Sequence, residues 1–171
     1  LPYVGAREFG QWVRSLSTDR TTTREAISID EVRSGLRFLG LPQPVRELLS
    51  VPLVDPPDCE QYGGELYREV AWFAQRALEW AARRPCDLVH AHDWMTYPAG
   101  IAISRLLGVP LVVHVHSLES DRSGDQGNPM IHALERAGLE AADRVIAVSH
   151  YTSRLVQQQH PVPPERISVA H

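Results

Sequence analysis

Two cysteines, Cys59 and Cys86, are all that this 171-residue sequence contains. Two thiols do not make a disulfide framework in a chain of this length, so a reducing compartment and a cytoplasmic location are expected. No run of about 18 apolar residues occurs, which excludes a transmembrane helix by sequence. Cations are not in excess: the formal net charge is −4, without the basic footprint that a nucleic-acid partner requires. Internal repeats and low-complexity stretches are also missing. The N-terminus, Leu1-Pro2-Tyr3-Val4-Gly5, has neither an initiating Met nor a basic leader, and the chain stops at Val169-Ala170-His171 in a strand-like pattern. These ends predict an incomplete piece of a longer protein. What is present suits a single core, with 43% hydrophobic and 22% charged residues, as in an ordinary soluble domain.

The first 47 residues are the least regular. Ile29, Val32, Leu36 and Leu39 recur at helical spacing, Ser28 and Glu31 form a capping box before them, and Gly40 and Pro42 supply a stop. Residues 2–23 read as loop. From residue 48 a regular alternation is expected. Leu48 to Val54 reads as a strand ended by Asp55-Pro56-Pro57-Asp58, and Tyr62 to Arg83 as an amphipathic helix with Leu66, Val70, Phe73, Ala77 and Trp80 on one face. Asp87–His92 reads as a strand, and a helix opens at Tyr97-Pro98 and closes at Gly108-Val109-Pro110. Leu111–His116 is Val-rich and continuous, as in a strand buried on both faces. A polar loop follows, then a helix capped at Asn128-Pro129, a strand over Arg144–Val148, a helix capped by Ser149, and a fifth strand at Ile167-Ser168-Val169. Strict strand–helix alternation predicts a Rossmann-like α/β fold with a doubly wound parallel sheet. Residues 1–47 are then an ill-defined N-terminal part and 48–171 the domain proper.

Ligands of such sheets bind beyond the carboxyl ends of the strands. Here those ends are rich in polar groups: His90-Ala91-His92-Asp93-Trp94, then His114-Val115-His116-Ser117-Leu118-Glu119-Ser120-Asp121-Arg122, then Val148-Ser149. Residues two apart on a strand share a face, so His90 pairs with His92 and His114 with His116. One reading is a zinc or iron site built from paired histidines and a carboxylate. Against it, Asp93 follows His92 directly, rather than at the spacing expected of metallo-hydrolases. The other reading is metal-free recognition of a polyhydroxylated substrate, in which imidazole and carboxylate fix the directions of sugar hydroxyls. Trp94 either stacks on a sugar or fills the core. His90 and His114, inside apolar runs, read as satisfied interior histidines, whereas His116 and Asp93 sit where function concentrates. Ser149 reads first as a helix cap, with a substrate role secondary. Glu119, Asp121 and Arg122 read either as a solvated loop or as a grip for polar ligands.

In sequence order, His90-Ala91-His92-Asp93-Trp94-Met95-Thr96, Pro110-Leu111-Val112-Val113-His114-Val115-His116-Ser117, the Glu119/Asp121-Arg122-Ser123-Gly124 segment, Glu135-Arg136-Ala137-Gly138 with Ala142-Asp143-Arg144-Val145-Ile146-Ala147-Val148-Ser149, and Pro164-Glu165-Arg166-Ile167 resemble family 4 glycosyltransferases, relatives of bacterial glycogen and starch synthases. The resemblance spans about residues 48–171. It implies the N-terminal, acceptor-side half of a GT-B fold, in which two Rossmann-like domains face across a cleft. It further implies retention of anomeric configuration, a nucleotide-sugar as co-substrate, a sugar or glycan acceptor, and no bound metal or other cofactor. By position His116 matches the family histidine beside the donor sugar and reacting centre, and Asp93 the acid that contacts sugar. Both are expected to be catalytic. His92, Trp94, Glu119, Asp121, Arg122 and Ser149 are expected to bind substrate. Leu1-Pro2 matches the end of the family's second strand, so the family's Gly-rich loop is expected to lie outside this chain, and its C-terminal domain is expected to lie outside it as well. This piece alone is then expected to be inactive. Leu118 stands where a Thr often follows Ser117. A nucleotide-sugar epimerase on the same scaffold, a metal-dependent hydrolase and a binding module without catalysis remain the alternatives.

Overall fold

The computed structural model describes residues 34–37, 39–52, 66–84 and 86–170. Its element order is α1 (Gln43–Leu49), α2 (Leu66–Ala81), β1 (Val89–His92), α3 (Asp93–Leu107), β2 (Leu111–Val115), α4 (Glu119–Ser123), a 3-10 turn (Gly124–Gln126), α5 (Pro129–Ala141), β3 (Arg144–Ala147), α6 (His150–Gln159), a second 3-10 turn (Pro164–Arg166) and β4 (Ile167–Val169). The four strands form one parallel sheet in the order β1-β2-β3-β4. Among the described residues none of the helices is long and apolar enough to cross a membrane.

Right-handed crossovers between consecutive neighbours put α3, α5 and α6 on the same side of the sheet. Burial alternates accordingly. Ala91, Leu111, Val113, Val115, Val145 and Ala147 are buried under these helices, whereas His90, His92, Val112, His114, Ile146 and Ser168 point to the opposite face and are half-buried or exposed. β2 is therefore continuous in hydrophobicity except where it turns the His114 imidazole toward the second face.

Several expectations need correction. The stretch from Leu48 is no strand: Leu48 and Leu49 end α1, and residues 50–52 are irregular. Pro42 and Pro44 open this helix, and Val45, Leu48 and Leu49 bury its inner face. The described sheet thus has four strands rather than five. α3 begins at Asp93, not at Tyr97, and carries Pro98 in its interior. Gly108 closes it at φ 66°, the left-handed cap that glycine adopts without strain. The polar segment after β2 is short helix rather than loop. On α2 the buried stripe is Val70, Ala71, Ala74, Gln75, Leu78 and Ala81, while Phe73 and Trp80 are 46% and 59% exposed. α2 packs on α3 with small buried residues on both helices, and the Arg84 guanidinium covers the Trp80 ring at 4.5 Å. Of the first expected helix, residues 34–36 are helical and Gly40 has φ 59°. Its capping box at Ser28 and Glu31 lies outside the described residues.

The helix caps at Asn128 and Ser149 stand as expected, accepting from the Met130 and Thr152 amides at 3.0 Å each. The junctions between helices and strands are tied by side chains to the main chain. Asp143 accepts from the Leu111 amide at 2.8 Å and returns its own amide to the Leu111 carbonyl. Arg166 donates to the Leu139 and Ala142 carbonyls at the end of α5. The family-like motifs at these positions are thus mostly scaffold.

His160, at the end of α6, is buried with both ring nitrogens lacking a partner among the described residues. Burial, reinforced by Arg136 and His132, lowers its pKa to about 4 from 6.5. Because the folded value is depressed for a base, the unfolded chain takes up the proton first as pH falls. The contribution of His160 to stability is therefore full above pH 6.5 and lost on descent toward pH 4, by up to ~3 kcal/mol. Urea unfolding of wild type and His160→Phe across that window is expected to show the steeper acid loss in wild type. Parallel curves would refute this account.

Candidate active site

Register pairing sets His92 directly beside His114 across β1 and β2. The next residues along, Asp93 and His116, follow at the strand ends. Asp93 has φ 56°, the one described non-glycine residue with positive φ, an arrangement uncommon except for Asn and Asp. This kink lets α3 start directly after His92, the last residue of β1. Its Oδ1 accepts from the His116 backbone amide at 2.8 Å. Thr96 Oγ1 closes the same turn by donating to the His92 carbonyl at 2.7 Å. The two residues expected to be catalytic therefore share one rim, joined through main chain.

Four imidazoles line that rim and the adjoining sheet face. His92 Nδ1 lies 3.1 Å from His116 Nε2, so one ring donates to the other. That bond occupies Nε2 of His116 and leaves its Nδ1 for a ligand. Ring centres of His90 and His114 stack at 5.6 Å, and His114 contacts His92 and His116 at 4.9 and 4.6 Å. Desolvation and neighbouring imidazoles lower the basicity of His90 and His114, so both are neutral near pH 7. The expectation of satisfied interior histidines is corrected here. His90 is exposed, and neither ring nitrogen of His114 has a partner among the described residues. Potential ligand atoms of His90, His92 and His114 lie within 4.8 Å of one another. They are the group among the described residues that could hold a transition metal.

Other expected site residues divide. Trp94 is 5% exposed in the core, its ring tilted against Tyr67 at a 6.2 Å centre distance. It faces inward from the first turn of α3 and offers no stacking surface at the rim. Glu119 is buried, not solvated. Burial would raise its carboxyl, but the Asn128 amide (3.0 Å), the Ser123 hydroxyl (3.0 Å) and Arg122 (3.3 Å) outweigh that and hold it below its usual range. Arg122 also reaches back to Ser117 Oγ at 2.9 Å, next to His116. Asp121 accepts from the Tyr151 hydroxyl of α6 at 3.0 Å. Ser149 is half-buried, occupied in capping α6.

Glu135 is the residue that sequence reasoning missed. It is 2% exposed on α5, yet its Oε1 accepts from the Glu119 amide at 2.7 Å and lies 3.7 Å from the Arg122 guanidinium. Burial pushes its carboxyl up to about 7. The available signal was a carboxylate placed within the apolar stripe of Ile131, Leu134 and Gly138.

A parallel α/β sheet with a polar rim at its carboxyl ends defines a Rossmann-like ligand-binding domain. The sequence model of Glycosyltransferase Family 4 matches residues 37–171. The chain therefore belongs to Glycosyltransferase Family 4, and its fold is the Rossmann-like half of the GT-B architecture. It is 34% identical over 127 residues to D-inositol 3-phosphate glycosyltransferase 1 of Catenulispora acidiphila, covering 71% of this chain and 29% of that one. It is 28% identical over 160 residues to D-inositol 3-phosphate glycosyltransferase of Streptomyces coelicolor (85% and 35%), and 41% identical over 88 residues to alpha-maltose-1-phosphate synthase of Mycolicibacterium smegmatis (48% and 23%). The chain thus spans roughly a quarter to a third of the length of these curated relatives.

Proposed function

We propose that this chain is the acceptor-side half of a retaining glycosyltransferase that moves a sugar from a nucleotide-sugar to an acceptor hydroxyl. The observation that carries the reading is the joined rim: the His116 amide on Asp93 Oδ1 at 2.8 Å and the His116 ring on His92 at 3.1 Å. In this mechanism the acceptor oxygen bonds to the anomeric carbon as the bond to the nucleoside diphosphate breaks, the hydroxyl proton passes to the departing diphosphate, and positive charge builds on the sugar ring. Preorganised dipoles near that ring then matter most. His116 offers its Nδ1 side to the donor sugar. Asp93 fixes the backbone that carries it, and His92 fixes the imidazole plane. His92, Arg122 and Ser117 supply polar contacts for the acceptor, Asp121 and Ser149 stand on its α6 side, and closure against the donor-binding domain excludes water.

The test uses the full-length protein with UDP-glucose, UDP-N-acetylglucosamine, ADP-glucose and GDP-mannose as donors, and D-inositol 3-phosphate, glucose and maltose as acceptors. Nucleoside diphosphate release that requires both substrates, with retained configuration in the product, is expected. Conversion of the nucleotide-sugar without any acceptor would instead identify an epimerase and end this reading.

A further inference from the structure

Segment 117–128 is closed on a buried acid. At its start the Glu119 amide donates to Glu135 Oε1 at 2.7 Å, and at its end the Asn128 amide donates to Glu119 Oε1 at 3.0 Å. Between them Ser123 Oγ donates to the same Glu119 oxygen, and Arg122 spans Glu119, Glu135 and Ser117. On the outer side, Ser120 and Asp121 are tied to Gln159 and Tyr151 of α6 at 2.6 and 3.0 Å. Gly127 belongs to the same arrangement: a Cβ there would lie 2.4 Å from His132 Nε2 and 3.2 Å from Glu119 Cγ. A carboxylate in an apolar helix stripe is costly, and Glu135 Oε2 has no hydrogen-bond partner among the described residues. Its neighbours in the buried stripe of α5 include Leu134, Gly138 and Leu139.

We infer that Glu135 is a positioning residue, which through the Glu119 amide and Arg122 sets the shape of segment 117–128 beside His116. That this segment receives the acceptor rests on the function proposed above. The groups facing Glu135 are His132 on its own helix, Glu119 and Arg122 of α4, and Asp93 and Tyr97 of α3. Its direct contacts toward the rim are the Glu119 amide and Arg122.

The experiment compares Glu135→Gln and Glu135→Leu in the full-length protein by hydrogen exchange and by kinetics. Glutamine keeps an oxygen for the Glu119 amide, whereas leucine removes it. In the leucine variant, amides of segment 118–128 are expected to exchange about tenfold faster, with Val113 and Val145 of the central strands unchanged. Glutamine is expected to restore most of the protection. With D-inositol 3-phosphate as acceptor, the leucine variant is expected to raise acceptor KM by about fivefold or more while leaving donor KM near wild type. Unchanged exchange in the segment, or equal loss in the central strands of both variants, overturns the inference. So does a loosened segment with unaltered acceptor KM. If wild type transfers no sugar at all, the functional reading fails while the exchange comparison still decides the positioning role.

Discussion

Replacing His116 by alanine in the full-length protein is expected to lower turnover by about a hundredfold, the size of effect found when one preorganised dipole is removed from a charged transition state. The structure says why the loss should be confined to chemistry. His116 sits just beyond the last residue of β2, is exposed, and its amide is held by Asp93. Alanine keeps that amide bond and deletes only the ring. The fold should therefore be untouched, and the fall should appear in kcat and in kcat/KM to a similar degree. Asp93→Ala is a different perturbation. It leaves the imidazole in place but removes the acceptor for the His116 amide at a residue with φ 56°, so it should cost both activity and stability. Wild-type turnover in His116→Ala would take this histidine out of the reacting centre, whatever the rim looks like.

Gly138→Ala is expected to destabilise the domain by ~2 kcal/mol, although alanine is the better helix former by about 1 kcal/mol. A Cβ at this position would lie 2.2 Å from Cδ2 and 2.6 Å from Cγ of Tyr97. Tyr97 is 1% exposed in α3, and its hydroxyl reaches toward the His114 carbonyl at 3.4 Å. The ring has nowhere to retreat, so overlap is relieved only by parting α3 from α5. Pairing Gly138→Ala with Tyr97→Leu should make the combined loss smaller than the sum of the single losses, because the smaller side chain frees the space the methyl needs. Urea unfolding of the two single variants and the double reads this directly. Strict additivity would show that Gly138 is not there for the ring.

How far the sequence could be read follows from which features are local. The strand ends were legible because apolar runs stop at His92 and His116, and strand periodicity puts alternate histidines on one face. The caps at Asn128 and Ser149 were legible because capping is decided within three residues. What failed depended on the partner surface. Phe73 and Trp80 have the size of core residues, but α2 is seated through alanines, and bulk misdirected the choice of face. Pro98 suggested a helix start because proline is common there. The actual start is the left-handed Asp93, a conformation no residue type announces on its own. Leu48 and Leu49 read as the opening of a strand until Val45, three and four residues before them, is included. Trp94 and Glu119 were read by chemistry, yet burial decides what each can touch, and burial is a property of the packed molecule.

The link from Asp93 to His116 runs through a peptide N–H, a group that every residue except proline carries. The position of Cα at 116 is thus set independently of the side chain borne there. Such a platform can exchange its reagent while keeping its alignment: a different side chain at 116 would be delivered to the same spot. Variation at this position should then alter the chemistry offered at the rim more readily than whether the protein folds.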